Sequence, residues 1–421
     1  MRPPKRLDVS PEVWHYLNST RLLLPEGADE SSKPTSQMMY EPAFRFISEL
    51  SSALGMDVKI AHVYTDSIRS EAITCNGQYY IVHDQYLGQV MNMLNRIFIY
   101  GASRETKLTY FHKLASQLLS RYGFYEESIF AARRYRESKS MMDHQKKQES
   151  AGSLKHAIYT TVQELYILLH EHAHLIFKQS PELLEELTAS VISWIEEFGA
   201  KEAGVTEELL LKLMSEFGED DRAFIEEDMK NFLESRKMSS DFCKQILTRR
   251  DLIEEFCCDR LALTHLHLYL AHKQLCNPPD QVQAIICCFL HLRTLQMMEA
   301  RCSLETNYDF KDRTDRLDIT EGLYATFYNA RIHHAKDYCY DLFLESEDEV
   351  TAVHGAVTEM MDHHSDEILA NAETVLSFVL YDDRIRETMD KEFAYIRDNL
   401  PVGQSIRRIS SAILHSVPQH E

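Results

Sequence analysis

Glycine and proline are scarce in this chain, whose 421 residues include only 13 glycines and 11 prolines. Both residue types interrupt helices, and long segments rich in Leu, Glu, Lys and Ala fill the intervals between them. The composition therefore predicts a mainly helical protein. A chain of this length can bury a sizeable core, either as two or three domains or as one large helical body with insertions.

Long apolar runs are also missing. No stretch reaches the roughly 18 uncharged apolar residues that a membrane-spanning helix needs, and the first residues, MRPPKRLDVSPEVW, lack the apolar core of a signal peptide. The nine cysteines include adjacent pairs but no Cys-x-x-Cys motif. This usage is typical of buried thiols in a reducing compartment, and it does not indicate a structural zinc site. We therefore expect a cytoplasmic protein without a membrane partner.

Basic residues are fewer than acidic ones: the chain has 45 Lys and Arg but 66 Asp and Glu, and its formal net charge is −21. An acidic surface repels the phosphate backbone, which argues against general nucleic-acid binding. The span from Glu196 to Glu234 holds 13 acidic and 4 basic residues. It fits either solvated helix faces or an electric field that attracts basic partners. The sequence also has no Gly-rich phosphate loop, so nothing in it indicates an NTPase.

Strand signals are confined to one region. The stretches DVKIAHVY, from Asp57 to Tyr64, and SEAITCNGQYYIVHD, from Ser70 to Asp84, are rich in β-branched and aromatic residues. Asn76-Gly77 suits a type I′ turn, so the second stretch predicts a hairpin. A helix is expected before this region, from about Pro42 to Leu54, and from Gln85 onward the periodicity is helical. The predicted fold class is mainly α with a small β-sheet (α+β).

The polar segment Glu26 to Gln37 predicts a loop, and the weakly patterned segment Arg133 to Ser153 predicts a mobile connection. We expect an N-terminal arm and loop over 1–40, a core over 41–302 with a helical insertion at about 181–240, and a helical C-terminal region over 303–421. Further helices are predicted from Thr206, from about Asp220, from the Ser239-Ser240 pair, and after Asn277-Pro278-Pro279 to about Arg301, followed by a non-helical stretch from Ser303 to Thr320.

The stretch LLHEHAHLIF lies inside a helix predicted from Leu154 to Lys178, with Ser153 as its N-cap and Ser180-Pro181 starting the next helix. His170 and His174 are four residues apart, which places them about 40° apart around the helix and about 6 Å along it. Two imidazoles on one face can share a metal ion.

Glu171 lies about 100° round the helix from His170, within reach of a water on such a metal. His172 points roughly opposite. A zinc ion with two histidines and one further ligand keeps a position for water and lowers the pKa of that water toward ~7. Glu171 would take the proton of this water and pass it to the leaving amine. The alternative is an exposed His/Glu helix face, but the surrounding sequence is apolar, where unpaired imidazoles and carboxylates are costly.

The third ligand distinguishes the subtypes of this motif. The extended form with a Gly and a third His is excluded, because Phe177 and Ser180 stand at those positions, and Ile167 excludes the reversed form. Downstream, Glu255 and Asp259 are four apart on a predicted helix, where Glu255 can ligate zinc and Asp259 can orient a ligand imidazole. Weaker alternatives are Glu254, which lacks an Asp four residues on, and His265 and His267, which suit a core or surface position.

With these residues the chain resembles the gluzincin metallopeptidases, whose signature is His-Glu-x-x-His followed by Glu-x-x-x-Asp on a second helix. The segment EFCCDRLAL is similar to the Glu-x-x-Ala-Asp-x-x-Ala form of the M48-like and ImmA/IrrE-like branches, with Cys258 at the small position and Ala262 after it. The resemblance implies a zincin-like catalytic core whose functional residues are the zinc ligands His170, His174 and Glu255, the general base Glu171, and Asp259 behind a ligand imidazole.

The resemblance covers about 200 residues, and the hairpin and helix over 70–100 correspond to the sheet and helix that precede the motif helix. In such folds an edge strand pairs with the substrate backbone. The separation between His174 and Glu255 is longer than the group usually has. The helical insertion in this interval would restrict access of substrates.

Peptide hydrolysis also needs a donor for the oxyanion. The resembled group often takes it from a Tyr, His or Arg beyond the third ligand, and YNARIHHAKDY, from Tyr328 to Tyr338, offers Arg331 and His333. An ordinary amphipathic helix is the favoured alternative explanation of this segment. MDHHSDE, from Met361 to Glu367, is a weaker candidate for a second metal site.

These observations predict a zinc-dependent metalloendopeptidase that cleaves a specific intracellular protein or peptide substrate under regulation. A regulatory partner fits the large non-catalytic remainder. By analogy alone, similar cytosolic proteases act in bacterial stress or phage responses. Two alternatives stay open: a zinc-binding pseudo-protease that acts as an interaction or regulatory module, and a helical scaffold that carries the motif by chance.

Overall fold

The computed structural model describes residues 10–20, 33–63, 65, 67–100, 103–142, 153–204, 219–273, 276–306, 313–382, 384–385 and 387. Within them helices dominate and three short strands form one sheet, which confirms the predicted α+β class. None of the described helices combines the length and the apolar character that crossing a membrane requires.

The elements follow one another in a simple order, with all three strands between the second and third described helices. The helices are α1 Pro11–Thr20, α2 Lys33–Ala53, α3 Gln85–Ile99, α4 Arg104–Arg121, α5 Tyr125–Met142, α6 Ser153–Gln179, α7 Pro181–Ala203, α8 Glu219–Leu247, α9 Arg250–Lys273, α10 Pro278–Thr306, α11 Arg313–Phe343, α12 Glu347–His363 and α13 Ala370–Tyr381, with a π-helical segment His364–Leu369 before α13. The strands are β1 Val58–Val63, β2 Glu71–Cys75 and β3 Gln78–Asp84.

The sheet has the order β1-β3-β2, so β3 is central and β2 lies at an edge. β3 pairs in parallel with β1 and antiparallel with β2. Asn76 and Gly77 join the two antiparallel strands with φ values of 49° and 76°. Both values are positive, as a type I′ turn demands, and the predicted hairpin is confirmed. β2 packs against α6, so the sheet edge lies beside the motif helix.

Asp84 fixes the connection between β1 and β2. Its buried carboxylate accepts hydrogen bonds from the backbone amides of Thr65, Ile68 and Tyr86 and from the hydroxyls of Thr65 and Ser67. Ile68 is buried and has a φ of 54°, a left-handed conformation that is an outlier for a β-branched residue. The contacts of Asp84 hold the backbone in this strained form.

Helix α6 lies at the centre of the molecule because its sequence is apolar nearly all the way round. Leu169 and Leu175 belong to the main core, together with residues of α3, α9 and α10. Ala173 and Phe177 face a second cluster formed with α7, α8, α9 and α11. The motif histidines therefore sit in the interior, next to α9, with which α6 makes its most extensive helix contact.

The predicted ends of α6 and the predicted start of α7 agree with the structure to within about one residue, as expected for helix ends. The helix start predicted at Ser239-Ser240 is wrong, because α8 continues through both serines to Leu247. Phe242, Cys243 and Ile246 continue its buried face, and Cys243 lies against Gly199 of α7. This packing outweighs the preference of serine for capping positions.

Several predicted loops also contain helix. α2 begins at Lys33, inside the expected loop, and α5 extends to Met142, inside the expected mobile connection. The predicted boundary at 302/303 falls within α10, and α11 begins at Arg313, within the stretch expected to be non-helical. Helix α1 belongs to the predicted N-terminal arm, but it packs onto the sheet and shares a core with the region after it. The side chains that make this contact are Val13 and Leu17. The predicted helix start at Thr206 lies outside the described residues.

Two buried histidines predict a loss of stability in acid. His172 lies 2.8 Å from the hydroxyl of Ser51, and His291 lies 2.9 Å from the ring of His364. Burial lowers the pKa of His172 to about 4 and that of His291 to about 3, from an ordinary value of 6.5. Below pH 6.5 these two histidines are protonated in the unfolded chain but stay neutral in the folded protein. Each of them therefore lowers the free energy of unfolding by up to about 1.4 kcal/mol for every pH unit of acidification.

We expect the melting temperature to fall steadily between pH 6.5 and pH 4.5, with His172 and His291 remaining neutral in the folded protein. Thermal denaturation across this range measures the first expectation, and histidine NMR signals of the folded protein measure the second. A constant melting temperature would contradict this role of the two histidines.

Candidate metal centre

Three side chains from two helices converge at one point. The Nε2 atoms of His170 and His174, on α6, lie 3.3 and 3.4 Å from the two carboxylate oxygens of Glu255, on α9. The potential ligand atoms of the three residues all lie within 4.8 Å of one another. The four-residue spacing places both rings on the face of α6 that contacts α9. Two nitrogens and one oxygen form a donor set that zinc prefers.

A carboxylate lies behind each histidine ring. The Nδ1 atom of His170 is 2.9 Å from Oδ1 of Asp259, and the Nδ1 atom of His174 is 3.0 Å from Oε1 of Glu254. A carboxylate at Nδ1 favours the tautomer with its proton there, which leaves the Nε2 lone pair for a metal. Both rings are therefore oriented so that Nε2 faces Glu255.

Asp259 is held by further contacts. The Nε and Nη2 atoms of Arg331, on α11, donate to its two oxygens at 2.7 Å, and the hydroxyl of Tyr166 donates at 2.6 Å. Asp259 is fully buried, so this bidentate pairing supplies the countercharge that an interior carboxylate needs. Three aromatic rings surround the guanidinium of Arg331; they belong to Phe289, Phe327 and Tyr328.

These contacts set the protonation of the centre. Burial would raise the pKa of Glu255, but hydrogen bonds with His170 and His174 outweigh burial and hold that pKa well below its ordinary value. Burial also opposes protonation of His170, yet contacts with Asp259 and Glu255 raise its pKa to about 9. Burial of Asp259 is likewise outweighed, chiefly by Arg331, so its pKa is lowered. Both glutamate and aspartate are therefore anionic at neutral pH and attract a cation.

Glu171 stands apart from this network. Its half-buried side chain has no hydrogen-bond or ion-pair partner among the described residues. Burial raises the pKa of Glu171, although the charges of His170 and His174 act in the opposite direction. A carboxylate with a raised pKa beside the two imidazoles of a candidate metal centre has the properties of a general base.

A second group of side chains also meets the distance requirement for a metal, namely His174, Glu254 and Cys258. It contains one histidine instead of two. Burial raises the pKa of the Cys258 thiol to about 12, so the thiolate that a metal requires is disfavoured. Of the two groups, His170, His174 and Glu255 are therefore the better candidates for holding a metal, whereas Glu254 contacts the ring of His174.

The structure does not bring every predicted residue to this centre. Residues two positions apart on a helix are separated by a rotation of about 200°, so His333 and Arg331 lie on nearly opposite faces of α11. Arg331 faces Asp259, and the ring of His333 packs against the ring of Phe198 instead. The prediction of His333 as an oxyanion donor is thus corrected. Arg331 reaches the centre, where it holds Asp259 and approaches Glu255 at 3.4 Å.

The weaker ligand candidates lie elsewhere. The His267 ring packs on Phe343, and burial lowers the pKa of His265 to about 4. In the segment from Met361 to Glu367, His364 contacts His291. Among the described residues this segment contributes to neither of the two groups that could hold a metal.

Sequence reasoning misses Tyr166 and gives too little weight to two other residues of the centre, Glu254 and Tyr328. The sequence predicts Glu254 only as a weak alternative ligand, yet this residue orients His174. Tyr166 lies four residues before His170, one turn away on the same face, which is a signal the sequence does carry. Tyr328 lies within electrostatic range of Glu255 and Arg331; it begins the segment in which the sequence indicates an oxyanion donor, but the sequence prediction names Arg331 and His333 instead.

Replacing Glu254 by Gln is expected to weaken zinc binding by roughly 10–100-fold, because an amide orients the ring of His174 less well than a carboxylate. Competition with a chromophoric chelator measures the affinity. The exposed Glu185 provides a matched control on α7, and Glu185→Gln should bind zinc as the wild type does. An unchanged affinity in Glu254→Gln would remove Glu254 from the centre, and complete loss would make it a ligand.

Comparisons of this chain with family models, with curated proteins and with solved structures find no match. The resemblance to gluzincin metallopeptidases therefore remains a prediction from two short motifs. A function for this chain has to be inferred from its own residues and their geometry.

Proposed function

We propose that the chain is a zinc-dependent metallopeptidase with a zincin-like core. One observation carries this proposal: the Nε2 atoms of His170 and His174 face the carboxylate of Glu255, while Glu171 lies beside them without an ion-pair partner among the described residues. A structural cation site needs the first feature only. The additional half-buried carboxylate is what hydrolysis requires.

The residues fit zinc in number and type. His170, His174 and Glu255 supply three donors, and a three-ligand site retains a position for water or substrate. When bound, zinc supplies Lewis-acid polarisation of a carbonyl and lowers the pKa of water. Glu171 accepts the proton of the attacking water and delivers it to the nitrogen of the leaving amine. Asp259 and Glu254 keep both imidazoles in the orientation that this chemistry needs.

The sheet offers a surface for the substrate backbone. β2 is an edge strand and packs against α6, with Glu71 at its start within electrostatic range of Glu171. Unpaired amides and carbonyls of an edge strand can bind an extended peptide as an additional strand. A peptide in this position would pass the carboxylate of Glu171. These features favour a peptide or protein over a small molecule as the substrate.

Tyr328 is the best placed donor for the oxyanion. Burial raises the pKa of its phenol, so the hydroxyl stays protonated and can donate. The Tyr328 ring packs against the guanidinium of Arg331, which contacts Glu255. Arg331 itself is committed to Asp259, so we assign the oxyanion contact to Tyr328 in its place.

Replacing Tyr328 by Phe is expected to lower kcat by about 10²–10³-fold, because the ring remains and only the donor is lost. KM and zinc content should change little. Steady-state kinetics and metal analysis check both. As a matched control, Tyr381→Phe on the exposed face of α13 should keep wild-type kcat. A rise in KM at constant kcat would indicate substrate binding and contradict the oxyanion role.

The function itself is tested by a search for new protein N-termini. Proteomes are incubated with zinc-loaded wild type or with Glu171→Gln, and N-terminal peptides are compared. The proposal predicts a small set of cleavages that only the wild type produces and that a chelator abolishes. Identical N-terminal profiles in the two samples would contradict peptidase activity and favour a zinc-binding interaction module.

A further inference from the structure

Two arginines and one glutamate form a charged cluster near the metal centre. Glu299 of α10 is buried, and its Oε1 atom contacts Nη2 of Arg69 at 2.7 Å and Nη1 of Arg121 at 2.7 Å. The hydroxyl of Tyr122 donates to the same oxygen at 2.7 Å, and burial raises the pKa of this phenol to about 12, so it stays neutral. In this cluster of Arg69, Arg121 and Glu299, two guanidinium groups therefore share one buried carboxylate.

The cluster adjoins the place where a substrate would lie. Tyr328 lies within electrostatic range of Arg69 and Glu299, and also of Glu255 and Arg331. Arg69 comes two residues before Glu71, where β2 begins beside the motif helix. Two strand residues span about 7 Å, so a peptide along β2 would meet Arg69 within about two residues of Glu71, which lies within electrostatic range of Glu171.

The backbone holds Arg69 in a defined position. Ile68 immediately before it has the strained φ of 54°, and its amide is bound to Asp84. The carbonyl of Ser67 accepts a hydrogen bond from Arg121 at 2.8 Å, which ties the second arginine to the same turn. Backbone strain of this kind persists where surrounding contacts impose it, and it concentrates at binding sites.

Arg69 is also accessible. Its side chain is 47% exposed, whereas that of Glu299 is 5% exposed. A buried carboxylate thus anchors a guanidinium that reaches solvent. Guanidinium groups recognise carboxylates through paired hydrogen bonds, and a preorganised one loses little side-chain entropy on binding.

We propose that Arg69, supported by Arg121 and Glu299, binds a carboxylate of the substrate within about two residues of the cleaved bond. This inference rests on the proposed peptidase function and names its substrate class, peptides with an anionic group near the scissile position. An acidic side chain and a free C-terminal carboxylate offer the same chemistry. The protein would accordingly favour acidic sites or chain ends over neutral interior sites.

The experiment uses the full-length, zinc-loaded Glu171→Gln protein, so that binding is measured without turnover. The probes are N-terminally labelled ten-residue peptides of Ala, Leu and Ser, with Glu or Gln at each position in turn and with a free or amidated C-terminus. Fluorescence anisotropy should show at least about 10-fold tighter binding for one carboxylate position than for its neutral counterpart. The side-chain series and the terminal pair distinguish the two sources.

Adding Arg69→Gln should remove this preference, and Arg69→Lys, which keeps the charge, should retain part of it. Arg45→Gln is the matched control, since Arg45 is exposed on α2 and pairs with Glu41 in its own helix. A preference that survives Arg69→Gln, or equal binding of acidic and neutral peptides, overturns the inference.

Cleavage by the wild type separates the two proposals. Zinc-dependent cleavage without a carboxylate preference means that only the subsite proposal fails. A preference that depends on Arg69, without cleavage by the wild type, supports an anion-binding peptide site and removes the peptidase.

Discussion

Replacing Glu171 by Gln is expected to reduce peptide cleavage by about 10²–10⁴-fold while the zinc content remains that of the wild type. The amide has the shape of the carboxylate but cannot accept the proton of the attacking water. Metal binding should persist because Glu171 makes no ion pair with the described residues of the centre, and because His170 and His174 keep their carboxylate partners. Measurements of kcat/KM on a substrate from the N-terminal search, with metal analysis of the same samples, check both parts.

The matched control is Glu182→Gln, an exposed glutamate in the first turn of α7. It should cleave at the wild-type rate. If Glu171→Gln retained wild-type activity, another group would have to be the base, and the interpretation of the motif as catalytic would fail. If Glu171→Gln lost its zinc, Glu171 would be a ligand, and the assignment of Glu255 would need revision.

Replacing Glu255 by Ala is expected to abolish stoichiometric zinc binding. Glu255 is the only one of the three proposed ligands that comes from α9, and its two oxygens contact Nε2 of both histidines. Loss of an outer partner already costs roughly 10–100-fold in affinity, so loss of a direct ligand should exceed this range. Zinc per chain after dialysis against a weak chelator, measured by mass spectrometry, tests this.

Glu186→Ala, an exposed glutamate on α7, is the control and should keep one zinc. Circular dichroism of Glu255→Ala should show the wild-type helix content, because α6 and α9 remain packed through apolar residues of both cores. One tightly bound zinc in Glu255→Ala would show that the centre is built from other ligands.

The local features of the centre could be predicted from sequence, because helix geometry is periodic. The four-residue spacing of His170 and His174 fixes their relative direction, and the Asn76-Gly77 hairpin follows from the conformational freedom of those two residues. Glu255 and Asp259 could be singled out as a pair, since they occupy one helix face.

The contacts between distant segments could not be predicted. Arg331 binds Asp259 across 72 positions of chain, and Glu299 reaches Arg69 across 230. Such pairs depend on how α10 and α11 pack on the rest of the molecule, which a single sequence does not encode in any local pattern. The assignment of an oxyanion role to His333 fails for this reason, because the packing of α11 decides which of its faces meets the centre.

Local preferences also give way to burial in places. Ser239-Ser240 has the character of a helix start, but the apolar residues after it belong to the same buried face as those before, and α8 is continuous. Glu254 ranks low from sequence because it lacks an Asp four residues on. Its role arises from proximity to His174 instead.

The central claim is that two imidazoles and the carboxylate of Glu255 hold one zinc ion. X-ray absorption at the zinc edge of the purified full-length protein tests it most directly. We expect one zinc per chain with nitrogen and oxygen ligands at about 2.0–2.2 Å, including two imidazoles, and no sulfur. A zinc–sulfur distance near 2.3 Å would place the metal at Cys258, and absence of zinc after loading would contradict the metal centre altogether.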